Sequence, residues 1–165
     1  MKFIHSPKKT QQGFTLIELV VVIVILGILA VTAAPKFIDL TSDARESVME
    51  GVQGSIESAI SMVNAKALID NELGATGEVE ISGTFYALVN GYPAAASAGT
   101  GAGTSGNGLG ITSLIDAGTD VTVTDATPAL FQHSGAPTAA QCQLSYANAV
   151  DSDNRPEITP TFTDC

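Results

Sequence analysis

The sequence predicts an α+β protein in which a long N-terminal helical spine, bent near Pro35, packs on a small antiparallel sheet. Three observations lead to this fold class. An apolar run precedes Pro35, an amphipathic pattern with helical spacing follows it, and short alternating segments separated by glycine begin near residue 71. We therefore divide the chain into a polar segment 1–13, two helical halves 14–35 and 36–70, and a sheet domain 71–165.

The composition limits the classes of function. The chain has 165 residues, and its 7 Lys and Arg against 17 Asp and Glu give a formal net charge of −10. So few cations cannot neutralise phosphates, which excludes a basic nucleic-acid-binding protein. Two cysteines are too few for a disulfide-dense miniprotein or a four-thiolate zinc site.

The apolar run extends from Phe14 to Ala34. As a helix it would be roughly 31 Å long, which is enough to cross a bilayer. Three lysines in residues 1–13 predict that the N-terminal side lies in the cytoplasm. A secretory signal peptide cleaved near the small residues at its end, and a plain signal anchor, are the alternatives.

Glu18 is the one charged residue inside this run. A carboxylate at membrane depth costs about 2.5–3.5 kcal/mol, so it needs a partner. No Lys or Arg lies nearby in the run. If the chain were cut before Phe14, the new α-amino group, from the same or a neighbouring subunit, would be largely cationic and would lie within one helical turn.

Residues 13–30, GFTLIELVVVIVILGILA, closely resemble the class III signal of type IV pilins and type II secretion pseudopilins. The resemblance covers about the first 55 residues. It implies the pilin fold, cleavage of a leader by a prepilin peptidase between Gly13 and Phe14, and N-methylation of Phe14. It also implies that Glu18 is the assembly residue, and that copies of the chain polymerise into a filament through this helix.

Gly27 and Pro35 define a predicted weak segment of the spine. Proline in a helix costs about 3 kcal/mol and glycine about 1 kcal/mol. A simple kink, or one helix that ends before another begins, would satisfy this pattern equally well. The resemblance implies more, because the spacing of both residues from the cleavage site matches helix-weakening positions that let filaments stretch.

After Pro35 the sequence predicts an amphipathic helix from about Lys36 to Ile69. Its apolar residues recur every three or four positions with acidic residues between them, which is typical of a helix that covers a sheet with one face. The predicted buried stripe consists of Leu40, Ala44, Val48, Val52, Ile56, Ile60, Val63 and Ala67.

The remaining chain predicts short strands and loops. Residues 93–110 are rich in Gly, Ala and Ser and predict a flexible or irregular loop. Residues 111–118 favour a short helix, and the Pro- and Gly-marked stretch that begins near residue 126 favours a turn. The strand-like segments are residues 78–89 around Gly83, 120–125, 143–150 and 157–163.

Cys142 and Cys165 bracket the C-terminal loop 142–165. An extracytoplasmic location favours their oxidation to a disulfide, which would contribute roughly 3 kcal/mol; two free thiols are the alternative. The resemblance implies the disulfide as well, with the loop exposed on the filament surface.

No pattern indicates catalysis or a cofactor. The G-x-G-x-x-G match at Gly101, Gly103 and Gly106 lacks the strand, helix and acidic partner of a nucleotide site, and His133 is predicted to be a solvated loop residue. We expect neither enzymatic activity nor a metal. Calcium remains an alternative at Asp151, Asp153 and Glu157, although their spacing fits no EF-hand.

Together these features predict the major structural subunit of a type IV pilus. The expected partners are copies of the chain, the prepilin peptidase, the inner-membrane pilus assembly machinery and a host or surface glycan. The precursor is expected in the inner membrane and the assembled subunit in the extracellular pilus. Phe14 resembles the mature start of the type IVa branch, and residues 34–45 with the terminal cysteine placement resemble the mannose-sensitive haemagglutinin pilin group.

That narrower resemblance implies surface adhesion, haemagglutination and biofilm formation. Two alternatives remain for the whole chain. The first is a pseudopilin of type II secretion, which is a piston subunit. The second is a monomeric protein with one membrane span and a periplasmic domain, against which the unpaired Glu18 argues.

Overall fold

The computed structural model describes residues 13–99, 101 and 108–165. Apart from Gly13, the predicted leader 1–13 lies outside the described residues. The chain divides into two compact units, Met1–Leu40 and Thr41–Cys165.

The helix α1 extends from Leu16 to Asp70 and is the one α-helix in the described part of the chain. It contains Pro35 without a break, so one helix does not end there for another to begin. The bend near Pro35 stays a prediction. At its C-terminus, Asn71 has a left-handed φ of 60°, and the Glu72 N–H donates to the carbonyl of Ala67 at 2.8 Å. This is the Schellman arrangement that terminates many helices.

The buried face of α1 differs from the predicted stripe at its start. From Val52 to Ala67 the stripe is right, but Leu40, Ala44 and Val48 are exposed, and Met49 is fully buried instead. The reason is geometric: steps of four residues advance the direction of the side chain by about 40° each. Extrapolating backwards from Val52 in fours therefore leaves the buried face within two steps.

Two antiparallel sheets follow, where the sequence predicted one. The first contains β1 (Gly77–Ile81), β2 (Thr84–Val89) and β3 (Tyr92–Pro93). Its hairpins turn at Ser82–Gly83 and Asn90–Gly91, where all four residues have positive φ. Two such residues in succession match the right-handed twist of the flanking strands, which explains the Asn-Gly pair.

The second sheet has the strand order β4-β5-β6-β7. These strands are Val121–Thr124, Ala129–His133, Cys142–Tyr146 and Ile158–Phe162. β7 is an edge strand and carries Pro160 at its centre, opposite Leu144 of β6. Proline has no N–H to donate, so it is tolerated at a sheet edge.

Two predictions for this region are wrong. The stretch expected to be a turn contains β5, in which Ala129, Phe131 and His133 are buried at alternating positions. His133 is therefore an inward-facing sheet residue and not a solvated loop residue. Proline before the strand and glycine after it obscured a five-residue alternation. The short helix expected at residues 111–118 is a single 3-10 turn, Ile111–Ser113.

The Gly-rich segment 93–110 is ordered where the structure describes it. Residues 100 and 102–107, including Gly103 and Gly106, lie outside the described residues. Leu109 pairs with β2, donating to the carbonyl of Phe85 and accepting from the amide of Ala87, both at 2.9 Å. A Cβ at Gly108 would overlap the backbone of Ala87. Residues 108–110 are thus irregular, which is one of the two expected forms, and glycine permits their close backbone contact with β2.

The core lies between α1 and the two sheets. Met49 to Ile60 pack with the four-stranded sheet around Phe131, Leu144 and Tyr146. Val63 and Ala67 pack with the three-stranded sheet in a smaller cluster. The Tyr146 hydroxyl donates to the carbonyl of Pro93 at 2.6 Å and so joins the two sheets.

Candidate assembly site

The first unit contains an apolar helical segment with no core of its own. Leu16–Ala33 is long and apolar enough to cross a membrane, and none of it is buried within the protein. Its large apolar side chains are 38–79% exposed, and Phe14 is 93% exposed. A contiguous apolar surface of this size marks a contact with lipid or protein.

Glu18 is held at the beginning of this helix. The Thr15 amide and the Thr15 hydroxyl both donate to Glu18 Oε2 at 2.8 Å, and the Glu18 amide donates to Thr15 Oγ1 at 3.3 Å. This is a capping box, in which an N-cap threonine and a glutamate three residues later satisfy each other's backbone N–H groups. The expectation that Glu18 is unpaired in the chain is therefore wrong.

Sequence reasoning missed the role of Thr15, although the T-x-x-E spacing was readable. The carboxylate caps the helix through these hydrogen bonds, and as a carboxylate it also carries a negative charge. Gln can replace Glu in a capping box but cannot supply the charge. The cap and the charge are therefore separable by substitution.

Two further residues of the apolar helix, Thr32 and Gly27, interact with nothing beyond the helix itself in the described structure. The Thr32 hydroxyl donates to the carbonyls of Ile28 and Leu29 at 3.4 and 3.1 Å, so it needs no partner outside the helix. A Cβ at Gly27 would meet no atom within 4 Å. Among the described residues, no contact therefore requires glycine at position 27, and glycine inside a helix costs about 1 kcal/mol relative to alanine.

The C-terminal loop 142–165 is the second predicted site, and it lies in the other unit. Cys142 and Cys165 form a disulfide with a Cα–Cα distance of 4.7 Å, and both are buried. The Arg45 guanidinium of α1 donates to the backbone carbonyl of Cys165. Within the loop, Arg155 donates to the Ser61 hydroxyl of α1 at 3.1 Å. The loop is thus fastened to the helix at two points as well as to β6.

The acidic part of this loop is occupied by its own hydrogen bonds. Asp151 accepts from the side chain and the backbone of Asn154 and from the backbone of Asp153. The side-chain hydrogen bond of Asn154, followed by its backbone hydrogen bond, lowers the pKa of Asp151. Among the residues that the structure describes, no three His, Cys, Asp or Glu side chains are grouped to hold a metal ion.

Comparison with known proteins finds similarity mainly in the N-terminal part of the chain. Residues 8–34 match the family described as the prokaryotic N-terminal methylation motif. The chain is 43% identical over 56 residues to the major component of the type IV narrow pilus of Thermus thermophilus, which covers 34% of the chain and 48% of that protein. It is 41% identical over 96 residues to the type IV major fimbrial protein of Dichelobacter nodosus, which covers 53% of the chain and 58% of that protein.

A secretion protein is similar to the same degree. Core protein G of the type II secretion system of Pseudomonas aeruginosa is 42% identical over 55 residues, which covers 33% of the chain and 39% of that protein. The chain spans about half the length of the relatives that it matches. No solved structure is significantly similar to the chain.

These matches define the class as that of proteins with an N-terminal methylation motif on a long apolar helix. Within it, the N-terminal part of the chain is similar both to type IV fimbrial proteins and to a core protein of type II secretion.

Proposed function

We propose that the chain is the major structural subunit of a type IV pilus and polymerises through its apolar N-terminal helix. The observation that carries this proposal is the exposed segment Leu16–Ala33, which buries none of its apolar surface in the chain itself. Lipid covers that surface in the precursor, and copies of the same helix cover it in the filament. The fimbrial relatives support the same role.

Processing prepares the subunit for assembly. A prepilin peptidase cuts between Gly13 and Phe14, and Phe14 is N-methylated at its new amino group. Both residues precede the helix, which begins at Leu16, and Phe14 is almost fully exposed. Exposed, non-helical backbone can enter a protease site without prior unfolding of a helix, which supports cleavage at this position.

Glu18 acts through its charge, and Gly27 and Pro35 weaken the helix between its two halves. Once the leader is removed, the cationic amine at Phe14 competes with Thr15 for the Glu18 carboxylate. Inner-membrane machinery then extracts the subunit into the filament. The residue ranges 14–35 and 36–70 keep their proposed roles as filament-core and domain-bearing halves of α1.

The finer assignment is to the mannose-sensitive haemagglutinin group, with surface adhesion, haemagglutination and biofilm formation as its functions. Its support is the similarity of residues 34–45 and the buried disulfide that closes loop 142–165. A host or surface glycan is the proposed ligand, and the mature subunit is proposed to lie in the extracellular pilus. The chain is proposed to have no enzymatic activity.

A type II secretion pseudopilin is the second candidate, because the match to core protein G covers the same N-terminal region at similar identity. The two differ in where the polymer is found. A pilin is recovered from filaments sheared off the cell surface, whereas a pseudopilin stays with the cell envelope.

The test compares Glu18→Gln with Thr15→Val in cells that lack the native subunit. Glu18→Gln keeps the capping box and removes the charge, so we expect membrane insertion without sheared filaments. Thr15→Val removes the cap and keeps the charge, and we expect filaments to persist. Immunoblots of sheared and membrane fractions measure both. Filaments made by Glu18→Gln at the level of the native chain would contradict the role of the charge.

A further inference from the structure

The turn between β2 and β3 joins three parts of the second unit. Its central residues, Asn90 and Gly91, both have positive φ. The Asn90 side-chain amide donates to the carbonyl of Ala149 in loop 142–165 at 3.0 Å, and the Gly91 carbonyl accepts from the Asn64 side chain of α1 at 3.0 Å. The first sheet, the helix and the C-terminal loop therefore meet at these four residues, which we call the joint.

The joint is enclosed and has a second fastening beside it. Gly91 and Ala149 are buried, and Asn90 is half-buried. The Ala95 amide donates to the Asn148 side chain at 2.6 Å. Two successive residues of the loop are thus bonded to the chain on either side of β3, so the Asn90 amide belongs to a fixed contact and not to a free surface.

Asparagine followed by glycine is the sequence in which an asparagine side chain deamidates most readily, because glycine has no side chain to obstruct its backbone nitrogen. In this reaction the Gly91 nitrogen attacks Asn90 Cγ. A C–N bond forms, and the amide leaves as ammonia with the proton of that nitrogen, which gives a succinimide ring. One water molecule then opens the ring at either carbonyl. The products are aspartate, or isoaspartate with a backbone longer by one methylene group.

We propose that Asn90 is a deamidation site whose reactivity is controlled by loop 142–165. Ring closure requires the Asn90 side chain to turn towards the Gly91 nitrogen. The hydrogen bond to Ala149 opposes this movement, and the bond from Asn64 holds the turn in place, so the joint must open before the ring can close. Parts of a folded protein open locally at free energies below that of global unfolding.

Reaction at Asn90 keeps the joint from closing again. The amide donor is replaced by a carboxylate, which only accepts hydrogen bonds and faces the Ala149 carbonyl oxygen that the amide had bound. Residues 41–165 contain 15 Asp and Glu against 3 Lys and Arg, so the new charge also adds to repulsion within the unit. Isoaspartate in addition lengthens a turn whose two residues set the register of β2 and β3. Deamidation thus loosens loop 142–165 permanently and without an enzyme.

The test follows deamidation of each asparagine by peptide mass mapping of full-length protein in detergent at mildly alkaline pH. A synthetic peptide of residues 85–97 gives the rate of the same sequence without the fold. We expect Asn90 in the native protein to react more slowly than in the peptide by about tenfold or more. None of these measurements depends on filament formation, so they stand apart from the test of the proposed function.

Two variants loosen the loop and leave the turn unchanged. Asn148→Ala removes the fastening to the Ala95 amide, and replacing Cys142 and Cys165 by Ser opens the loop at its ends. Both should raise the rate at Asn90, the second by about tenfold or more.

The matched control is Ser152→Ala, an exposed position of the same loop, which should leave the rate at Asn90 unchanged. Asn71 also has a left-handed φ but precedes a glutamate, and faster reaction there would show that a variant has unfolded as a whole. If the variant without the disulfide unfolds, the rate at Asn90 in Asn148→Ala decides.

Asn90→Asp copies one product and should speed proteolysis of loop 142–165. Three results would overturn the proposal. The first is an Asn90 that reacts as fast in the native protein as in the peptide. The second is a rate at Asn90 that rises in neither loosened variant. The third is a loop that resists proteolysis in Asn90→Asp as well as it does in the native protein.

Discussion

Tyr146→Phe tests how the two sheets are joined. The substitution removes only the hydroxyl that donates to the Pro93 carbonyl at 2.6 Å. Tyr146 and Pro93 are both almost completely buried, so water cannot replace the lost donor. An unsatisfied buried carbonyl costs about 1–3 kcal/mol of unfolding free energy, and each kcal/mol lowers Tm by roughly 4 °C in a domain of this size.

The same residue predicts a dependence on pH. Burial raises the pKa of Tyr146 above its usual value, whereas tyrosine in the unfolded chain titrates near pH 10. The folded state therefore favours the protonated phenol, and its contribution is complete below about pH 10. Above that pH the unfolded chain loses a proton that the folded chain keeps, so the unfolding free energy of the native protein falls. Tyr146→Phe has no phenol at this position and does not undergo this loss. The difference in unfolding free energy between the native protein and the variant should therefore narrow as the pH rises.

Urea unfolding of full-length protein in detergent, followed by far-ultraviolet circular dichroism from pH 7 to alkaline pH, measures both effects. Tyr86→Phe is the matched control, because Tyr86 is half-buried and its hydroxyl makes no hydrogen bond in the described residues. The reasoning is refuted if the two variants have equal free energies of unfolding at pH 7. It is also refuted if the difference in unfolding free energy between Tyr146→Phe and the native protein stays constant as the pH rises.

Three further predictions concern stability. Replacing Cys142 and Cys165 by Ser opens a loop with a sequence separation of 23 and should lower the free energy of unfolding in urea by about 3 kcal/mol. Added reductant should destabilise the native protein and leave the stability of this variant unchanged. Arg45→Met keeps the aliphatic stem but loses the donor to the Cys165 carbonyl, so it should cost about 1 kcal/mol and speed proteolysis of the C-terminal loop; unchanged proteolysis would argue against the fastening role. Gly91→Ala should lower Tm more than Gly118→Ala, since both have positive φ but only at Gly91 would the new methyl group lie 2.7 Å from a leucine side chain.

The parts of the fold with local patterns could be predicted from the sequence. An apolar run too long for a strand and a stripe with helical spacing predicted α1 to within a few residues. The predicted buried positions are wrong from Val48 towards the N-terminus of the stripe, because periodicity alone does not show where a sheet begins to cover a helix. β5 was missed for a related reason: its five residues are too few to stand out between proline and glycine, and only pairing with β4 and β6 makes them a strand.

In the candidate site, too, features with a local sequence pattern could be predicted and contacts between distant residues could not. Gly13, Phe14 and Glu18 were predicted from a resemblance, and the capping box of Thr15 was readable from its spacing but was overlooked. The contact of Arg45 with Cys165 joins residues 120 positions apart. No local rule specifies such a pair, because it depends on how the whole C-terminal loop returns to the helix.

Pro160 affects how neighbouring subunits can pair when many copies of the chain are packed close together in the proposed filament. Subunits in a polymer bring their sheet edges near one another, and an open edge can recruit a neighbouring strand. At the centre of β7 this edge lacks a backbone donor, so it is an incomplete template for strand addition. Growth by edge pairing, which would compete with ordered growth through the helices, is thereby disfavoured, and the polymer retains one route of assembly.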